Sequence, residues 1–206
     1  SYRIFDEMEV LKEKLNKKPE VTKAKVILES LNKVSEGYVS PKEVERLKEV
    51  FKKGMPNGWK ATLSASNSYG DFVVKINTIP MKDIKAMAYE NYEEYTKKNG
   101  RKSENVYKYD VVSFDAIDED KKVFTKDFEI HVNPTKDPKS NNFKVRLEEL
   151  SHYMKTDSQA VKKLAETLVE AMKTGYNNSD SQSDYFDQSF SVLLRFGDYN
   201  KPVKLS

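Results

Sequence analysis

Trp59-Lys-Ala-Thr-Leu-Ser-Ala-Ser-Asn-Ser-Tyr-Gly-Asp-Phe-Val-Val-Lys-Ile76 decides the fold class of this chain. Trp59, Ala61, Leu63 and Ala65 alternate with Lys60, Thr62, Ser64 and Ser66. A period of two puts one set on each side of a pleated strand, so the segment predicts a half-buried strand. Asn67-Ser-Tyr-Gly70 supplies turn residues. Phe72, Val74 and Ile76 carry the return strand. Two strands joined by so short a turn pair antiparallel.

Outward from this hairpin the periodicity changes to that of a helix. Ser40-Pro41 opens one, with Glu43 three residues after Ser40 and Pro at the first helical position. Its apolar face is Val44, Leu47, Val50 and Phe51; Gly54 closes it and Pro56 blocks extension. Earlier, Ile4, Met8, Leu11 and Leu15 recur at helical spacing, then Ala24, Ile27, Leu28, Leu31 and Val34. Pro19 separates these two runs and Gly37 ends the second. Residues 1–37 therefore read as a helical N-terminal segment and residues 40–206 as the main domain.

Downstream, Asp83 to Lys98 reads as one helix with Ile84, Met87, Ala88, Tyr92 and Tyr95 on one side. A second hairpin is expected, with Val106 to Phe114 as its first strand. Ile117–Lys121 is its turn, and Phe124, Phe128, Ile130 and Val132 lie on its return. Phe143 to Tyr153 reads as a helix. Thr156 and Gln159 form a capping box for another, carrying Val161, Leu164, Ala165, Leu168, Val169 and Met172. A last strand turns Phe190, Val192, Leu194 and Phe196 inward. The expected fold is α+β: a mostly antiparallel sheet of two hairpins and a C-terminal strand, packed with helices.

Composition bounds the function. In 206 residues, 37% are hydrophobic and 33% charged, and aromatics at 11% make a core feasible. Net charge is +3, from 36 basic and 33 acidic residues, which argues against both an acidic DNA mimic and a strongly basic nucleic-acid binder. There is no cysteine, so disulfides, zinc thiolates and thiol catalysis are excluded. No apolar run reaches the ~20 residues that span a bilayer. Ser1-Tyr-Arg-Ile-Phe-Asp-Glu7 lacks the apolar core of a signal peptide, so the cytoplasm is the expected location.

The segment Tyr176-Asn-Asn-Ser-Asp-Ser-Gln-Ser-Asp-Tyr-Phe-Asp187 is dense in turn residues yet holds two aromatics. Two readings compete. Asp180, Asp184 and Asp187 offer three carboxylates that can hold a divalent cation. Alternatively, Asx and Ser side chains bond backbone amides and build an ordered loop anchored by Tyr185 or Phe186, with Tyr176 at its start. The structural reading is preferred, since the spacing misses the EF-hand pattern. His131 has Asp127 and Glu129 as same-face neighbours, and Glu148 with His152 makes an i, i+4 pair, but neither has supporting ligands. Lys60, Lys75 and Arg195 are candidate binding residues on outward strand faces, with Lys52, Lys53 and Lys82 near them in sequence. Tyr89, Tyr92 and Tyr95 are read as packing rather than as a base-stacking platform. No phosphate-binding glycine loop and no G-x-S-x-G elbow occurs.

Pro56-Asn-Gly-Trp-Lys60 through Ser64, after Val50-Phe51-Lys52, resembles the large polyvalent protein-associated domains of phages, plasmids and integrative elements. The Tyr176–Asp187 segment, followed by Phe196-Gly197 and Lys201-Pro202, is similar to the C-terminal signature of the same family. The resemblance spans residues 40–202. It implies a mobile-element setting among factors delivered early into a new host, counter-defence proteins included, and it brings no catalytic residues and no cofactor. The expectation is an accessory protein that binds a macromolecule, such as a host nuclease complex or another host protein or nucleoprotein. General nucleic-acid binding is expected to be weak. The alternatives are a metal-dependent enzyme acting on nucleic acid through the Asp180–Asp187 loop, and a structural phage protein.

Overall fold

The structure is a computed structural model that describes residues 39–66, 70–99, 110–180, 182–183, 187–198 and 200–206. The helical segment expected over residues 1–37 lies outside the described residues, as do residues 106–109 of the expected strand. Among the described residues, five α-helices accompany a mixed, mostly antiparallel seven-stranded sheet, so the fold is α+β. The helices are α1 (Pro41–Gly54), α2 (Met81–Met87), α3 (Tyr92–Asn99), α4 (Phe143–Ser151) and α5 (Gln159–Met172). The strands are β1 (Lys60–Ala65), β2 (Asp71–Ile79), β3 (Ile117–Asp118), β4 (Val123–Phe124), β5 (Phe128–Val132), β6 (Ser191–Phe196) and β7 (Val203–Leu205).

The predicted hairpin is the β1–β2 pair, antiparallel with Thr62 opposite Lys75 and Ser64 opposite Val73. β2 also pairs in parallel with β6, Lys75 beside Arg195, and with β7, Thr78 beside Lys204. Thr78 is matched to both Lys60 and Lys204, and a strand has two edges. β1 therefore takes one edge of β2, while β6 and β7 follow each other along the other. β5 pairs with β6, and β4 with β7, so β4 and β5 likewise form one interrupted line. The two interruptions coincide. Gly197, at φ +71°, begins the break after β6, and a Cβ there would sit 3.4 Å from the Lys126 carbonyl in the break between β4 and β5.

The second hairpin is shorter than expected. Asp110 to Phe114 is not a strand; Phe114–Ala116 is a 3-10 turn, and the hairpin is β3–β4, with Asp118 accepting from the Lys121 amide at 2.9 Å. The helix expected over Asp83–Lys98 is two helices. Tyr89 leaves the helical path because its amide donates to the Val112 carbonyl at 2.9 Å, and its carbonyl accepts from Phe114 at 2.9 Å. Tertiary pairing here outweighs local propensity. The N-cap of α5 is Ser158, whose Oγ accepts from the Val161 amide, rather than Thr156. Ser40 caps α1 as predicted, accepting from Glu43 at 3.2 Å.

Among the described residues, the two longest helices, α1 and α5, pack on one side of the sheet. Phe72, Val74 and Ile76 of β2, Val192, Leu194 and Phe196 of β6, and Ile130 and Val132 of β5 are buried together with Leu47 and Phe51 of α1 and Val161, Leu164 and Leu168 of α5. Phe51 stacks on Phe72 at 5.7 Å, and Phe128 stacks on Phe196 at 4.5 Å. Trp59 meets Phe196 edge-on at 6.5 Å, and its indole N–H donates to Asp83 at 2.9 Å. Among the described residues, no helix is long and apolar enough to cross a membrane.

Candidate functional site

The other side of the sheet carries the alternate residues, exposed on β1 and β5 and buried at Ser191 and Leu193 of β6. In β1, Thr62 and Ser64 are exposed while Ala61 and Leu63 are half-buried; in β5, Glu129 and His131 are exposed between buried Phe128, Ile130 and Val132. Pairing registers set these side chains in cross-strand rows. One row reads Thr62, Lys75, Arg195, Glu129; the next reads Ser64, Val73, Leu193, His131. A third joins Asp71 to Ser191, whose hydroxyl donates to the Asp71 carboxylate. Asn77 extends the face by donating to Thr62 Oγ1 at 2.8 Å.

Two of the three basic residues singled out in the sequence, Lys75 and Arg195, are thus next to each other. Like charges side by side on neighbouring strands repel. Each is neutralised: Lys75 Nζ donates to Asp198 at 2.7 Å, and Arg195 Nε to Glu129 at 2.5 Å. The Lys75 ammonium holds the Asp198 carboxyl below the usual carboxylate range. Lys60 is exposed at the start of β1, opposite Thr78, and stands apart from this row. Lys52 and Lys53 are on α1 and pair with Glu49, and Lys82 is exposed on α2. The cations do not gather into one basic patch.

A cavity of about 310 Å³ opens beside the row, lined by Asp127, Phe128, Glu129, Arg195, Gly197 and Asp198. The break in the two strand lines makes it: Gly197 turns the chain out of β6 and carries Asp198 back towards Lys75. Side chains at its rim remain accessible, with Glu129 40% and Arg195 41% exposed. His131, 57% exposed, is 3.9 Å from Glu129. This face can offer hydrogen-bond donors and acceptors of both charges to a large, polar partner. Strand alternation places Lys75, Arg195 and Glu129 on polar faces; that Glu129 lies across from Arg195, and that Asp198 reaches Lys75, enters only with the register.

The Asn/Ser/Asp segment leaves α5 and returns to β6. Ser189 N donates to the Tyr176 carbonyl at 3.0 Å, and Asn178 N to the Asp187 carbonyl at 2.7 Å, around the antiparallel bridge Asn177–Gln188. Ser179 Oγ accepts from Asp187 N at 2.9 Å. Asp180 accepts from the Gln182 amide at 3.0 Å and from Ser183 Oγ at 3.1 Å; the amide holds its carboxyl low. These contacts join Asx and Ser side chains to backbone amides of the segment's described residues. Tyr176 is 40% exposed. Asp184, Tyr185 and Phe186 lie outside the described residues. Among the described residues, no cluster of three or more His, Asp or Glu is placed to hold a metal ion.

Other polar groups have structural partners. His152 caps α4, and its carbonyl accepts from Tyr95 Oη at 2.9 Å. Glu148 is exposed on α4, and its carbonyl accepts from Ser151 Oγ. Tyr95 stacks on Tyr92 and meets Tyr89 edge-on; burial pushes its hydroxyl up to about 12. Lys126 Nζ donates to Ser113 Oγ at 2.7 Å and lies 3.5 Å from Asp115, which Ser113 also contacts. A serine beside a lysine can be a nucleophile and its base, but Ser113 is 1% exposed. The fully buried Arg146 donates to the Asn133 carbonyl at 3.1 Å, to Asn141 Oδ1 at 2.9 Å and to Glu149 at 2.8 Å. Burial pushes the Glu149 carboxyl up to about 7 against the pull of Arg146.

No protein-family model, curated protein or solved structure matches this chain.

Proposed function

We propose that this chain acts by binding a macromolecule through the open face of its sheet, and that the partner is a protein. The carrying observation is the row Thr62–Lys75–Arg195–Glu129, in which both cations are already ion-paired beside a cavity of about 310 Å³. A phosphate-binding face needs cations free to exchange counterions for phosphates. A face of mixed, locally compensated charge suits a polar protein surface. The mobile-element setting implied by the resemblance accords with this reading, and makes a host defence protein or nuclease complex the partner to seek.

The test is affinity purification from a bacterial host followed by mass spectrometry, run in parallel with Glu129→Ala/His131→Ala. Both side chains are exposed, so the variant keeps its circular dichroism spectrum. The expected result is a captured protein lost from the variant; identical capture by both sinks the proposal. In a shift assay with random duplex DNA, no salt-sensitive submicromolar binding is expected, and its appearance favours a nucleic-acid role.

A further inference from the structure

We infer that the outer edge of β1 joins two copies of this chain into a symmetric dimer with one continuous sheet. The amide of Ser66 donates to the Asp71 carbonyl at 2.8 Å. In an antiparallel ladder, hydrogen-bonded pairs alternate with non-bonded ones. The register then makes Ser64–Val73 and Thr62–Lys75 the bonded pairs. Ala61, Leu63 and Ala65 are left with both N–H and C=O turned away from β2, and these groups meet no other partner among the described residues.

Proteins protect such edges with proline, charge or a bulge. From Ala61 to Ser66 there is no proline and no charge, and the irregularity in the ladder falls between Lys60 and Ala61, at one end. The segment is also self-complementary. A two-fold axis at Leu63 pairs Leu63 with its counterpart, Ala61 with Ala65, Thr62 with Ser64 and Lys60 with Ser66. The residues with free backbone groups then face one another as bonded pairs. Apart from Lys60 with Ser66, every cross-strand pair is small or apolar, and none sets like charges together. This is the isologous geometry of a two-fold dimer. The axis stands perpendicular to the sheet, so the open faces of both copies lie on one side. The inference does not depend on what that face binds.

The contact is short, so the dimer is weak, with Kd on the order of 100 µM. Sedimentation velocity across that range is expected to show a monomer–dimer equilibrium. Thr62→Glu/Ser64→Glu sets carboxylates opposite one another across the axis and is expected to weaken the dimer at least about tenfold. Thr62→Glu/Ser64→Lys carries the same first change but pairs opposite charges, and is expected to restore it. A purely monomeric wild type, or equal behaviour of the two variants, overturns the inference. Amide exchange on the unaltered protein gives a second reading: protection at Ala61, Leu63 and Ala65 rises with protein concentration, and unchanged protection also overturns it.

Discussion

Arg146 is a cation with no exposed surface, and its counterion Glu149 sits at the margin of the core. Burying a charge costs several kcal/mol unless it is paired. The carboxyl of Glu149, raised from 4.5 to about 7 by burial, holds a proton in the native state that the unfolded chain releases. Stability contributed by that proton is present below pH 4.5 and is lost as pH rises towards 7. Glu149→Gln has no such dependence. The difference in unfolding free energy between variant and wild type, from urea midpoints, is expected to move in the variant's favour by about 1–2 kcal/mol between pH 5 and pH 8. A flat difference contradicts the burial account. Gly54 makes a second residue-scale test. A Cβ there would lie 2.4 Å from Thr167 Oγ1, whose hydroxyl donates to the Gly54 carbonyl at 2.6 Å. Thr167 is β-branched and 3% exposed, so it cannot swing aside. Gly54→Ala is expected to lose about 1–3 kcal/mol by thermal melting, and less in a Thr167→Ala background.

At the scale of elements, β6 holds the core together because strands flank both its edges and its inward residues join the aromatic cluster. Phe196 touches Trp59, from the start of the first hairpin, and Phe128, from β5. Phe196→Ala is expected to cost about 3–5 kcal/mol in urea unfolding; a loss below 1 kcal/mol would show that these rings do not form one cluster. The strand itself was legible in the sequence, as were β1, β2, β5, α1 and α5, because each spans enough residues to show a period. β3 and β7 were not, since two or three residues have no period to read, and β4 was read as one strand with β5. Nor was the parallel pairing of β6 with β2. The break between α2 and α3 was hidden because Tyr92 and Tyr95 continue the helical spacing of Ile84 and Met87, while the cause lies at Val112 and Phe114. The open face was half legible. Alternation exposed Lys75, Arg195 and Glu129, but the pairing of Glu129 with Arg195 enters only through register, and Asp198 only through the turn at Gly197.

At the scale of the whole molecule, β7 closes the sheet. Leu205 N donates to the Lys122 carbonyl at 2.7 Å, Ser206 N to Ile79 at 3.1 Å, and Ser206 O accepts from Met81 at 2.8 Å. Removing Val203–Ser206 leaves β4 with only β3 beside it and Phe124 with an uncovered flank. The expected result is a large fall in melting temperature or insoluble protein; an unchanged melt means β7 is dispensable.

The parallel ladder has one more consequence, for synthesis. Asp71 meets Ser191 across 120 residues of chain. Contacts so distant in sequence form slowly, because the loop must be closed before anything rewards its closure. While the ribosome is still making the second half of the protein, β2 has only β1 beside it, and its other edge waits for a strand that has not yet been translated. The nascent chain is therefore exposed to mispairing for most of its elongation, and a holding chaperone would find its target there.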